Sequence, residues 1–163
     1  MKHVAKKSDA WLLRAVSAGS WASALSICAL LLAGRIDTGH AAAPLNAPSH
    51  WLFGRQALRS NRVSWRHTLS GLLIHHGSSL WWGLLYSRLL HRLAADRDGR
   101  LHPALTAIAL TALAAWVDLR FVPKRLSPGF EHRLSNMSLV TVYAAFAIGL
   151  ALGAARSHRR HPR

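Results

Sequence analysis

Four long apolar runs divide this chain, and each is long enough to cross a bilayer as an α-helix. They cover residues 11–34, 68–90, 103–122 and 134–155. About 20 residues at the helical rise span the hydrocarbon core of a membrane. Pro103 opens the third run, where its missing N–H costs no hydrogen bond. The pattern predicts an all-α, polytopic membrane protein in which residues 1–163 form a single domain, a bundle of four transmembrane helices.

The charged residues lie mostly between these runs. Apolar residues make up 51% of the chain. The mean hydropathy of +0.14 is an average over the apolar runs and the charged segments between them. A net charge of +15 would suit nucleic acid, but the Lys and Arg residues flank the apolar runs, as in membrane proteins that contact anionic headgroups. We therefore expect membrane lipids, including anionic headgroups, as partners, and no nucleic acid.

The loops indicate an orientation. Four crossings put both termini on one side, and the termini with the second connection carry twelve of the 21 Lys and Arg residues. The first and third connections carry the other nine. The positive-inside rule therefore favours cytoplasmic termini.

The first connection, residues 35–67, is long and contains an uncharged stretch over residues 41–54, reading AAAPLNAPSHWLFG. This stretch is too short to cross a bilayer and too apolar for an ordinary solvated loop. Segments of that length are typical of re-entrant or interfacial elements. We predict such an element here.

The second apolar run has one polar face. At about 100° per residue, eight of its polar, glycine and aromatic positions fall within one broad face, with His76 at the rim, while the opposite face is apolar and includes Trp81. Hydrocarbon cannot solvate such a face, so it must meet other helices or a wet cavity. The members of this face are Thr68, Gly71, His75, Ser78, Ser79, Trp82, Gly83 and Tyr86.

Small residues on the first and fourth runs predict close helix packing. Gly149 and Gly153 repeat at an interval of four on the fourth run. The stripe on the first run consists of Ala15, Ala18, Gly19, Ala22, Ser26, Ala29 and Ala33.

The polar residues of the spans share one half of the bilayer. His75 lies about 10 Å along the second run, and Asp118 lies about one turn before the third run ends on the same side. Asn136 begins the fourth run there. We predict a polar vestibule that opens toward the first and third connections. The candidate ligand or proton site comprises His75, His76, Ser79, Trp82, Asp118 and Asn136.

A metal site is one form this vestibule could take, with His75, His76, Asp118 and Glu131 as ligands, because imidazole and carboxylate bind metals. The other reading gives the histidines a structural role and pairs Asp118 with Arg120, Lys124 or Arg125. The cofactor stays unknown. The sequence argues against a bis-histidine haem, because the other three runs contain no histidine.

Three functions fit these features. The first is a non-enzymatic membrane protein whose vestibule binds a small ligand, an ion or a proton. The second is an accessory subunit whose polar face docks a partner membrane protein, or a homo-oligomer. The third is a metal-dependent membrane enzyme. No metalloprotease, nucleotide-binding or serine-hydrolase motif is present, which favours a non-enzymatic role.

Three segments resemble small four-helix proteins of bacterial inner membranes that have no assigned activity. These segments are PLNAPSHWLFG at 44–54, HHGSSLWWGLLYSRL at 75–89 and PKRLSPGFEHRLS at 123–135. The resemblance implies a bacterial inner (cytoplasmic) membrane location, with a multi-pass topology. It transfers no activity and no site residue.

Overall fold

A computed structural model describes residues 2–93 and 102–160, and the side chains of residues 11–93 and 102–157. All secondary structure in these ranges is helical. A π-helical segment, Trp65–Leu69, leads into the fourth helix, and another, Val117–Phe121, extends the fifth. Short 3-10 helices lie at Ala47–Ser49, Gly54–Arg59 and Phe130–His132. The α-helices are α1 (Lys2–Thr38), α2 (Ala42–Asn46), α3 (His50–Phe53), α4 (Ser70–Leu93), α5 (Pro103–Trp116) and α6 (Asn136–Arg160).

Three segments within the described ranges are long and apolar enough to cross a membrane: Trp11–Thr38, Pro103–Phe121 and Asn136–Ser157. They contain most of the first, third and fourth predicted runs. The second predicted run forms α4, which has 24 residues but whose His, Ser and Gly residues make it less apolar than the other three.

The long helices are apolar on the outside and lined by small residues within. On α1, Leu32 and Ile36 are 68% and 79% exposed, while the alanines on the opposite side are buried. This distribution is the reverse of a soluble protein, where large apolar side chains fill the interior. The inward stripe of α1 consists of Ala15, Ala18, Ala22, Ala29 and Ala33.

Helix α1 packs mainly against α6 and α4, and α5 packs mainly against α6. A Cβ added to Gly149 would lie 2.4 Å from the Cα of Ala22, and one added to Gly153 would lie 2.6 Å from the Cα of Ala18. The small-residue stripes are therefore contact surfaces, as predicted from their spacing. Helices α4 and α5 contact each other sparsely, which leaves a gap between them.

The apolar stretch of the first connection is folded against the rest of the chain. Residues 42–50 are all buried, and they form α2, a 3-10 turn and the start of α3. Asn46 is fully buried, and its amide nitrogen donates to the carbonyl oxygens of Ser60 and Arg62 over 3.0 Å each. Its amide oxygen accepts from the Thr68 hydroxyl over 2.7 Å. The segment predicted to be re-entrant or interfacial thus packs against the rest of the chain, and Asn46 ties it to the backbone that leads into α4.

The first and third connections also contact each other. The indole nitrogen of Trp51 donates to the Ser127 carbonyl over 2.8 Å. The His50 ring nitrogens lie 2.8 Å from the Ala47 carbonyl and 3.2 Å from the Lys124 carbonyl. These contacts join the two connections at one end of the long helices.

Candidate functional site

A cavity of about 630 Å³ occupies the gap between α4 and α5. Its walls come from α4 between Leu73 and Trp82, from the end of α5 around Asp118, and from α6 around Tyr143. Pro48 and Trp51 of the first connection complete it, together with residues of the third connection. This volume lies within the range of about 300–1,000 Å³ that small-molecule pockets occupy.

His75 projects from α4 into this cavity and bonds to α1. Its Nε2 lies 2.8 Å from the hydroxyl oxygen of Ser26. The hydroxyl oxygen of Ser26 also lies 2.7 Å from the Ala22 carbonyl and 3.1 Å from the Ser23 carbonyl. With its single proton donated to one of these carbonyls, we infer that the Nε2–H group of His75 donates to Ser26. The other ring nitrogen, Nδ1, is then an acceptor. The imidazole is held in one orientation by α1.

Asp118 enters the cavity from the π-helical segment that extends α5. The hydroxyl of Tyr143 on α6 donates to its Oδ2 over 3.2 Å. Within the described ranges the structure gives Asp118 no ion pair with Arg120, Lys124 or Arg125. The carboxylate is therefore held by a neutral donor on a neighbouring helix, and its second oxygen remains able to accept.

Phe130 lies between the two polar groups. Its ring centroid is 6.4 Å from that of His75 and 6.4 Å from that of Tyr143, both in edge-on arrangements. Phe130 is itself buried, at the start of a 3-10 turn in the third connection. The third connection thus supplies the ring that separates the histidine from the tyrosine–aspartate pair.

The structure brings together four of the six predicted site residues. His75, Ser79, Trp82 and Asp118 all line the cavity. The hydroxyl of Ser79 donates to the His75 carbonyl over 2.7 Å. Its proton is therefore used within α4 and is not available to a ligand. His76 does not line the cavity, because adjacent helical residues point about 100° apart. Asn136 is exposed at the first residue of α6 and also lies outside.

The predicted metal ligands do not converge. Among the described side chains, those of residues 11–93 and 102–157, no three His, Cys, Asp or Glu residues form a group that could hold a metal ion. Glu131 lies 3.6 Å from His132 and does not line the cavity, and His76 points away. The four predicted ligands do not form one metal site, because His75 and Asp118 line the cavity while His76 and Glu131 lie outside it.

Ser26 and Tyr143 were not among the predicted site residues. Ser26 belongs to the small-residue stripe of α1. Its hydroxyl, the one polar side-chain group in that stripe, could have indicated a polar contact with another helix. Tyr143 is the lone hydroxyl-bearing aromatic residue of the fourth apolar run, which could have indicated a partner for Asp118. Both roles depend on which helices meet, and spacing along one helix does not reveal that.

The cavity is more apolar than the predicted polar vestibule. Apolar and aromatic side chains form most of its lining, with His75 and Asp118 among the few polar groups. Leu73 and Trp81 line it and are 63% and 60% exposed, so they form a rim on the outer surface of the helices. The cavity therefore opens sideways.

Three apolar helices of spanning length indicate a helical membrane protein, and the cavity opens beside α4, at Leu73 and Trp81. No protein family model matches this chain, and no curated protein or solved structure shows detectable similarity to it. The function must accordingly be argued from the cavity itself.

Proposed function

We propose that the chain is a bundle of four membrane-crossing helices in a bacterial inner membrane, with α4 as the fourth crossing and both termini in the cytoplasm. The outward face of α4 supports this reading. Leu73, Trp81 and Leu89 recur there at helical spacing and are exposed, and Leu69 continues the face just before the helix begins. Ser79 and Ser87 are buried within the chain, and the exposed Arg88, His91 and Arg92 all lie in the last turns of the helix.

Cysteine accessibility tests this topology. In a Cys28→Ala background, single cysteines replace Arg62, His102 or Leu126 in the three connections. A membrane-impermeant maleimide added to intact cells should label positions 62 and 126 and spare position 102. Labelling of positions 62 and 102 from the same side would show that α4 does not cross.

We infer that this protein is a non-enzymatic binder of a small, largely apolar molecule, which occupies the cavity between α4 and α5. The observation that carries this inference is a cavity of about 630 Å³ in which the two ionisable side chains, His75 and Asp118, are each held by a neighbouring helix, through Ser26 and Tyr143. Such groups are oriented before a ligand arrives, which lowers the entropic cost of binding.

The position of the rim supports entry from the membrane. Leu73 and Trp81 lie on the outward face of α4, which hydrocarbon would cover. A ligand dissolved in the bilayer can therefore reach the cavity without crossing the polar connections.

Photolabelling with benzophenone, a neutral aromatic probe, tests the binding function. Illumination of protein in nanodiscs should give saturable adducts on the peptides that contain residues 73–82 and 117–122. Ser78→Phe places a ring in the cavity wall and should remove these adducts. The matched control is Ala112→Phe, because Ala112 is exposed on α5 and does not line the cavity. Equal labelling of both variants would overturn the proposal.

The accessory-subunit alternative receives less support. It requires the polar face of α4 to remain open for a partner helix, but Ser79, Gly83 and Tyr86 on that face are buried within the chain. The Tyr86 hydroxyl already donates to the Pro103 carbonyl over 2.8 Å.

A further inference from the structure

The cavity differs in charge from the rest of the protein. The chain has 21 Lys and Arg residues and only six Asp and Glu residues, yet no Lys or Arg side chain lines the cavity. Asp118 is its single acidic residue. In a strongly basic chain, this ligand-sized cavity therefore contains a carboxylate and no cationic side chain.

The hydrogen-bonding capacity of the cavity favours a cationic or donating guest. The Tyr143 hydroxyl already donates to Asp118, and the Nε2–H group of His75 already donates to Ser26. The Asp118 carboxylate and the His75 Nδ1 atom are left as acceptors. Ser78, whose hydroxyl can donate or accept, and the indole N–H donors of Trp81 and Trp82 add no charge. An anionic guest would face a carboxylate without a cation to offset it.

The aromatic lining favours the same kind of guest. Aromatic faces carry negative electrostatic potential and attract organic cations, most strongly where water is excluded. Six aromatic residues line the cavity: Trp51, Trp81, Trp82, Phe130, Tyr143 and Phe146. A ring-lined cavity with one carboxylate combines charge attraction with apolar contact.

We propose that the cavity between α4 and α5 binds lipophilic organic cations, with the Asp118 carboxylate opposing the charge and the aromatic residues enclosing the apolar groups. This inference rests on the proposed binding function and adds the ligand class to it. The lateral rim at Leu73 and Trp81 suits such molecules, because lipophilic cations partition into the bilayer before they bind.

Two probes of the same size and shape but opposite charge test the proposal. Tetraphenylphosphonium and tetraphenylborate are titrated by calorimetry against the full chain in nanodiscs of zwitterionic phosphatidylcholine, with empty nanodiscs subtracted. The phosphonium ion should bind at least tenfold more tightly than the borate. The net charge of +15 would by itself favour the borate. A preference for the phosphonium ion would therefore arise from the cavity and not from the net charge of the protein.

Matched variants locate the effect. Asp118→Asn should weaken phosphonium binding at least tenfold, while Asp118→Glu should retain the preference for the cation. Asp37→Asn removes the same charge from the exposed end of α1, outside the cavity, and should leave binding unchanged. A circular dichroism spectrum of each variant shows whether the helices have formed.

The outcomes separate the two proposals. Equal binding of both probes, or a preference that survives Asp118→Asn, would overturn the cation inference while leaving a ligand-binding cavity. Absence of binding by either probe, together with absence of saturable benzophenone labelling, would overturn both.

Discussion

The imidazole of His75 donates a hydrogen bond to the hydroxyl of Ser26, with 2.8 Å between Nε2 and Oγ, and this bond joins α4 to α1. Ser26 is fully buried and donates its own proton to a backbone carbonyl of α1, that of Ala22 or Ser23. These two hydrogen bonds fix which ring nitrogen of His75 carries the proton. A helix-packing contact therefore also sets which ring nitrogen a ligand would meet.

Replacement of Ser26 by alanine should destabilise the protein, because it leaves the Nε2–H group of His75 without an acceptor. We expect a loss of about 1–2 kcal/mol in the free energy of unfolding, given the usual cost of an unpaired buried donor and the modest strength of hydrogen bonds between membrane helices. Thermal unfolding in detergent, followed by circular dichroism, measures the change.

Ser23→Ala is the control for that experiment. Ser23 is buried one turn earlier on α1, and its hydroxyl has no hydrogen-bond partner among the described residues. Its removal should leave stability unchanged or slightly raised. If both variants unfold at the same temperature, the Ser26–His75 bond contributes nothing to stability.

Gly83→Ala should weaken the contact between α4 and α1. A Cβ at this position would lie 2.6 Å from the Ala15 carbonyl oxygen and 2.8 Å from the Cα of Gly19, and both are backbone atoms that cannot rotate away. The helices would have to separate, so we expect a loss of about 1–3 kcal/mol in unfolding free energy, typical of overpacked interiors. The measurement is unfolding by denaturant in mixed micelles.

The same helix offers a matched substitution at Gly77, where an added Cβ meets no atom within 4 Å. Gly77→Ala should raise stability by up to about 1 kcal/mol, because alanine is the better helix former. A Gly83→Ala protein as stable as Gly77→Ala would show that the close approach of α1 and α4 is not required.

The helices and the inward face of α4 could be predicted because both follow from local periodicity. Hydrocarbon excludes polar groups, so the polar positions of one helix fix its orientation, and Gly71, Ser79, Gly83 and Tyr86 are indeed buried. The residues that complete the cavity were harder to predict. Ser26 and Tyr143 acquire their roles only when α1 meets α4 and α6 meets the end of α5.

The first connection shows the same limit. Its length and low charge predicted a re-entrant or interfacial element, but they did not reveal that residues 42–50 would pack against the rest of the chain. Gly71 at the start of α4 permits this, because an added Cβ there would lie 1.9 Å from the Leu45 carbonyl oxygen. Composition alone does not distinguish burial in lipid from burial in protein.

Asn46 organises that connection, and its replacement by leucine should loosen residues 55–64 while the long helices remain folded. The substitution removes the donors to the Ser60 and Arg62 carbonyls and the acceptor for the Thr68 hydroxyl. We expect at least a tenfold faster hydrogen exchange across this segment. Gln56→Leu, at an exposed position of the same connection, is the control and should not change the exchange. Unaltered exchange in the Asn46 variant would refute this role.

The pair formed by Tyr143 and Asp118 can be tested by a double-mutant cycle. Tyr143→Phe keeps the ring that packs edge-on near Phe130 but removes the hydroxyl that donates to Asp118. Hydrogen bonds to charged groups contribute about 1.5–3 kcal/mol, so the single variant should lose stability of that order. With Asp118 already replaced by asparagine, the same change should cost about 1 kcal/mol less, because a neutral acceptor gains less from the donor. Equal losses in the two backgrounds would show that the tyrosine and the carboxylate are energetically independent, and the α5–α6 side of the cavity would then be held by apolar packing alone.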